Sequence, residues 1–141
     1  MYQEHLLKLY KDPAFRRKLS PEEVVAHQRN PACGDDIALG MKVEGGRITE
    51  ICHHSQACSV TLASARAMCG AVQGLDVESA RDRLRDALAF FAGEGGGAGG
   101  WDKAWGAPDL PALGDVRAFP MRMACVRLPW EALQEALDRL S

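Results

Sequence analysis

The chain has 141 residues, 47% hydrophobic and 26% charged, the make-up of a folded globular domain and not of a disordered chain. Lys plus Arg total 17 and Asp plus Glu 19, a formal charge of −2, so no basic excess supports nucleic-acid binding. No apolar run approaches the ~20 residues that span a bilayer, and Met1 to Lys18 is charged and amphipathic without a signal peptide's apolar core.

One domain over residues 1–141 is therefore expected, in the cytoplasm, where thiols stay reduced. In chain order, Tyr2 to Lys11 reads as a short helix with Leu6, Leu7 and Tyr10 on one side, ended by Pro13. Ser20-Pro21-Glu22-Glu23 has the pattern of a helix start, with Ser as cap and Pro in the first turn, although Val24 and Val25 suit a strand equally. Ile37, Leu39, Met41 and Val43 alternate with Ala38, Gly40 and Lys42, the period of a half-buried strand. Gly45-Gly46 is a hairpin turn, and Arg47 to Ile51 reads as the return strand. Residues 52–57 form a third strand or a loop leading to Cys58.

From Ser59 to Val72 small residues predict a helix that packs closely on a sheet. Asp76 caps the next helix, with Val77, Leu84, Leu88 and Phe91 near helical spacing. A glycine-rich segment at about 93–100 reads as a flexible surface linker; it lacks the Lys-Ser/Thr of a phosphate loop. Trp101, Trp105 and Leu110 to Leu113 then dock the chain again. Pro129 suits a helix's first turn, and Trp130, Leu133, Leu137 and Leu140 make a final amphipathic helix. Strands in the middle and helices afterwards point to an α+β fold: a three-stranded antiparallel sheet packed by helices.

Five cysteines stand at 33, 52, 58, 69 and 125, an odd number for a disulfide framework. The segment Asn30-Pro31-Ala32-Cys33-Gly34-Asp35 places a thiol and a carboxylate two positions apart in a Pro/Gly turn. A soft and a hard ligand so placed are half of a metal site. Cys58 opens a helix, where the dipole favours thiolate. Cys33, Asp35, Cys58 and Cys125 can therefore make a tetrahedral site, while the spacing equally allows buried, inert thiols. Cys52 and Cys69 read as small core residues. His53 and His54 are neighbours in an extended segment and point to opposite faces, so both cannot easily bind one ion. His5 and His27 read as surface residues. A Cys58–His53 or Cys58–His54 nucleophile pair lacks an oxyanion-hole motif, and a zinc hydrolase lacks H-E-x-x-H.

Three segments in order resemble the U-type iron–sulfur scaffold family, the IscU/NifU N-terminal group. The 30–35 segment is similar to its first motif. Cys58-Ser59-Val60-Thr61-Leu62-Ala63-Ser64-Ala65-Arg66-Ala67-Met68 resembles the second, and the stretch from Phe119 through Cys125 to Trp130 the third. Leu9-Tyr10-Lys11-Asp12-Pro13 resembles the end of the family's first helix, so the likeness covers nearly the whole chain. A long stretch between the second and third motifs, Ala124 where IscU-type members carry histidine, and Arg122 three residues before the third cysteine resemble the SufU branch.

The resemblance implies a SufE/IscU-like fold and one zinc ion held by Cys33, Asp35, Cys58 and Cys125. It implies persulfide sulfur accepted at Cys33 from a PLP-dependent cysteine desulfurase, a histidine of which displaces one ligand, with Arg122 tuning the site and other Suf cluster-assembly proteins as partners. The alternative it carries is a scaffold that assembles a [2Fe–2S] cluster and transfers it. One departure is the approach to the second cysteine, His54-Ser55-Gln56-Ala57 in place of a Gly-rich turn, which leaves open a role for Cys52 or His54 in sulfur relay or alternative metal binding.

Overall fold

The computed structural model describes residues 3–93, 109–114, 116 and 119–140. Its elements are α1 (Gln3–Lys11), a 3-10 turn (Pro21–Glu23), β1 (Val24–Asn30), β2 (Asp35–Glu44), β3 (Arg47–Gln56), α2 (Ser59–Val72), α3 (Val77–Phe91), α4 (Asp109–Gly114) and α5 (Pro120–Asp138). The α+β class and the three-stranded antiparallel sheet agree with the sequence pattern, with β2 between β1 and β3.

The strand boundaries differ from expectation in an instructive way. Ser20 does cap a helical start, with the Glu23 carboxylate accepting its N–H at 3.0 Å, but the helix is a single 3-10 turn closed by the Glu23 N–H on the Ser20 carbonyl at 2.9 Å, and the chain leaves it as β1. β-branched Val24 and Val25 favour that outcome, and pairing from Val24↔Gly40 to Asn30↔Asp35 secures it. The third strand is thus upstream of the other two, and β3 runs on through Gln56, absorbing residues expected to form a separate strand or loop. Gly45 and Gly46 both have positive φ, 59° and 76°, as a two-residue hairpin turn of the I′ kind requires.

The sheet's inward face carries Ile37 and Leu39 from β2 with Ile48 and Ile51 from β3, all essentially without solvent access. Each such side chain contributes roughly 1.5–3 kcal/mol by burial. Helix α5 lies across β1 and β2 with Trp130, Leu133 and Leu137 in the core. The small residues of α2, expected to approach the sheet, instead serve mainly its packing against α1 and α5. Ala63, Ala65 and Ala67 are buried there, and Met68 and Val72 complete the face.

In α1 the buried residue is Leu9, with Leu6 partly buried, whereas Leu7 and Tyr10 face outward; the inward stripe is Leu6 and Leu9, three residues apart. Asp76 caps α3 as expected, accepting from the Ser79 N–H at 3.1 Å. Pro129 does not open the last helix. Pro120 occupies the first turn, and Pro129 sits inside a continuous 19-residue α5. Tyr2, the run 94–100, Trp101 and Trp105 lie outside the described residues.

Candidate metal centre

The β1–β2 connection is built to present two ligands. Asn30 and Asp35 are register partners, and Pro31 to Gly34 close the hairpin between them. The Cys33 N–H donates to the Asn30 carbonyl at 3.1 Å, and the Gly34 N–H to that of Pro31 at 3.3 Å. Gly34 adopts φ +69°, a left-handed angle that a side chain resists. Cys33 therefore lies between the first and second strands and is partly exposed, while Asp35 begins β2 and is 2% exposed.

Strand alternation separates the two adjacent aspartates. Asp35 points into the molecule. Asp36 points out, where it accepts from Arg29 Nε at 2.8 Å and pairs with His27 Nε2 at 2.7 Å. Only Asp35 is available to an interior site.

Cys58 is the N-cap of α2, in an extended conformation, with no capping bond from its own side chain. The cap comes instead from Asp35: its Oδ1 accepts the Cys58 N–H at 2.9 Å. Oδ2 accepts the Thr61 hydroxyl at 2.7 Å and lies 3.8 Å from Cys58 Sγ. Cys125 is buried on α5, with Asn30 Nδ2 at 4.0 Å from its sulfur.

Ligand atoms of Cys33, Asp35 and Cys125 all lie within 4.8 Å of one another, and Cys58 stands beside this trio through its 3.8 Å approach to Asp35. A tetrahedral zinc with Zn–S of about 2.3 Å and Zn–O of about 2.1 Å needs donor separations of roughly 3.5–3.8 Å. Two thiols and one carboxylate thus lie near the spacing such an ion takes, and Cys58, in contact with Asp35, is the fourth candidate donor, which side-chain movement would have to bring in. Three soft donors and one hard donor also match zinc's borderline character.

The electrostatics follow from burial. Burial pushes the Asp35 carboxyl up, but bonds from the Cys58 N–H, the Thr61 hydroxyl and the Cys125 and Cys58 thiols outweigh it and hold the group below its ordinary value. Burial pushes the Cys125 thiol up, and Asp35, Cys33 and Cys58 around it push further in the same direction. A cation among such crowded acidic groups would favour their ionised forms.

The other sequence candidates fall elsewhere. Cys52 and Cys69 are buried, and burial raises both thiols, as core residues. His53 is buried with Nδ1 2.8 Å from Ser55 Oγ, and burial lowers it to about 4; His54, its neighbour on the strand, is exposed. Arg122 is exposed at the start of α5, one turn before Cys125, and no ion pair joins it to Asp35. Sequence reasoning missed Thr61, Asn30 and Ser64. For Thr61 the signal was its position one helical turn after Cys58, and for Asn30 its place opposite Asp35 across the hairpin.

A sheet-and-helix fold with thiols and a carboxylate converging from a hairpin turn, a helix N-terminus and a second helix defines a class. The chain belongs to the NifU-like N-terminal domain family, whose model matches residues 1–93. Among its relatives is the zinc-dependent sulfurtransferase SufU of Bacillus subtilis, 30% identical over 99% of this chain and 90% of that protein. The iron–sulfur cluster assembly scaffold protein IscU of Thermotoga maritima is 30% identical over 100% of this chain and 95% of its own length. Among solved structures, FiSufU of Fervidobacterium islandicum AW-1 superimposes with a TM-score of 0.83 at 26% identity, over 96% of each chain.

Proposed function

We propose that this protein is a zinc-containing sulfur acceptor that receives persulfide sulfur from a PLP-dependent cysteine desulfurase and passes it toward iron–sulfur cluster assembly. The observation that supports this reading best is the convergence of Cys33, Asp35 and Cys125 within 4.8 Å, with Cys58 at 3.8 Å from Asp35. Likeness to the Bacillus subtilis sulfurtransferase over nearly the whole chain adds to it.

Zinc bound to these four residues would keep the thiols as thiolates without redox side reactions. Cys33 is the acceptor: Cys125 is buried, and of the two partly exposed thiols Cys33 stands on the turn between β1 and β2, whereas Cys58 is tied into the start of α2 beside Asp35 and Thr61. In the transfer the Cys33 thiolate attacks the outer sulfur of the donor persulfide. A new S–S bond forms at Cys33, the donor's S–S bond breaks, and the donor cysteine leaves as thiolate, so electrons balance without an added oxidant. Asp35, a harder and weaker ligand than thiolate, makes the centre easier to open. Arg122, exposed and one turn from Cys125, would meet an incoming anionic sulfur group. No described helix is long and apolar enough to cross a membrane, and desulfurase and Suf partners in the cytoplasm are consistent with that.

A second reading is a scaffold that assembles a [2Fe–2S] cluster as its cargo, favoured by the two thiols and one carboxylate that lie together with Cys58 beside them, and by the Thermotoga maritima relative. Incubation with a desulfurase, cysteine and zinc-loaded protein, followed by mass analysis of the peptides, separates the two. The sulfur-acceptor reading expects one added sulfur on the Cys33 peptide and none in Cys33→Ala. Transfer unchanged in Cys33→Ala overturns it.

A further inference from the structure

We propose that Thr61 is a positioning residue of the metal centre, whose hydroxyl holds the Asp35 carboxylate and thereby sets how readily the metal leaves; this rests on the metal-centre reading above. Thr61 is fully buried on the first turn of α2, three residues after Cys58. Its Oγ1 donates to Asp35 Oδ2 at 2.7 Å and lies 3.4 Å from Cys58 Sγ. One hydroxyl therefore touches two of the four candidate ligands, from the helix that carries one of them.

The hydroxyl has one proton to give. In the thiol form of Cys58 it donates to Asp35 and can accept from the S–H. With Cys58 as thiolate, two anionic ligands share a single donor, and the shorter contact assigns that donor to Asp35. The other carboxylate oxygen is already fixed by the Cys58 N–H at 2.9 Å. Asp35 is thus clamped at both oxygens from α2, so its orientation toward the thiols of Cys33 and Cys125 is set by helix α2 and not by rotation of its own side chain. Outer partners of this kind typically change metal affinity by about 10–100-fold when removed. Without Thr61 the carboxylate keeps one tether and swings away from the ion more often.

The test is the rate of zinc release to excess chromophoric chelator from the zinc-loaded full chain. Thr61→Val removes the hydroxyl at equal size and should speed release by about tenfold, while Thr61→Ser, which keeps it, should stay within about twofold of wild type. Thr61→Ala is the second hydroxyl-free variant, should Thr61→Val fail to fold. In an Asp35→Ala background, Thr61→Val should add nothing, because its effect runs through Asp35. Cobalt(II) in place of zinc gives a spectroscopic check: the ligand-field bands should move in the hydroxyl-free variants and not in Thr61→Ser. Zinc-loaded wild type with Thr61→Val at the same release rate overturns this inference alone, as does an equal effect in the Asp35→Ala background. A wild type that binds no zinc overturns the metal-centre reading and this inference together.

Discussion

The Ser64 hydroxyl joins two helices beside the candidate metal centre: it donates to the Val126 carbonyl at 2.6 Å and accepts the Trp130 indole N–H at 3.0 Å. Ser64 is fully buried on α2, and Val126 directly follows Cys125 on α5. The bond fixes the α5 backbone where it delivers the third thiol. Ser64→Ala is expected to lower stability by about 1–3 kcal/mol, since buried polar groups lose a partner. Urea denaturation of the metal-free protein measures this as a lower midpoint at unchanged slope. Because the lost bond sits one residue from Cys125, the zinc affinity of the variant should fall as well.

Asp35 caps α2 in place of a side chain from the helix's own N-cap residue. Asp35→Ala in metal-free protein should therefore cost about 1–2 kcal/mol, the worth of a helix cap, even with no ion in the solution. Equal denaturation midpoints for the variant and wild type would show that the cap contributes nothing.

His53 makes stability depend on pH. Burial first, then Arg16 and His54, lowers its folded value to about 4 from 6.5. The unfolded chain therefore binds the proton more readily. The stability contribution is complete above pH about 6.5, falls as pH drops, and is lost as pH passes the folded value near 4. The full span corresponds to roughly 3 kcal/mol. His53→Gln should flatten the profile between pH 7 and 5 relative to wild type, as read from denaturant midpoints at the two pH values.

Cys52 is buried and packed against Gly40. Its sulfur lies where Gly40 lacks a side chain: a Cβ at Gly40 would meet Cys52 Sγ and Leu19 Cδ2, both at 3.0 Å. Gly40→Ala should destabilise by about 1–3 kcal/mol through overpacking, and adding Cys52→Ala should recover part of the loss. Cys52→Ala alone should leave the zinc content per chain unchanged by elemental analysis, which would separate this thiol from the three of the candidate centre.

The parts of the fold that were legible in the sequence are those where local pattern and tertiary environment agree. The alternation of Ile37 and Leu39, the Gly45-Gly46 turn and the Asp76 cap all carry their reasons within a few residues. β1 carries no such pattern. Among its residues only Ala26 is buried, and its strand state comes from pairing with β2 and cover by α5. Pro129 misled for a related reason. Tertiary packing carries α5 through it, although its nitrogen cannot donate to the Cys125 carbonyl four residues back.

At the candidate site, the residue types that can bind metals stand out in the sequence, a thiol and an aspartate in a Pro/Gly turn with two more cysteines downstream, although their spacing alone leaves buried, inert thiols equally open. The groups that hold them in place do not stand out. Thr61 sits in a run of Ala, Ser and Leu, and Ser64 three residues on looks like any small helix-packing residue. Only the meeting of α2 with Asp35 and with α5 gives those hydroxyls their partners. Arg122 shows the opposite limit. The resemblance assigns it to the site, but it stands exposed on the first turn of α5.

The most direct test of the central claim is the metal content of the purified protein, by elemental analysis and an absorption spectrum, for wild type and for Cys33→Ser, Cys58→Ser and Cys125→Ser. A four-ligand zinc centre predicts about one zinc per chain in wild type, no visible charge-transfer bands, and clear loss of zinc in each variant. Wild type without metal, or zinc retained undiminished in all three variants, would contradict it.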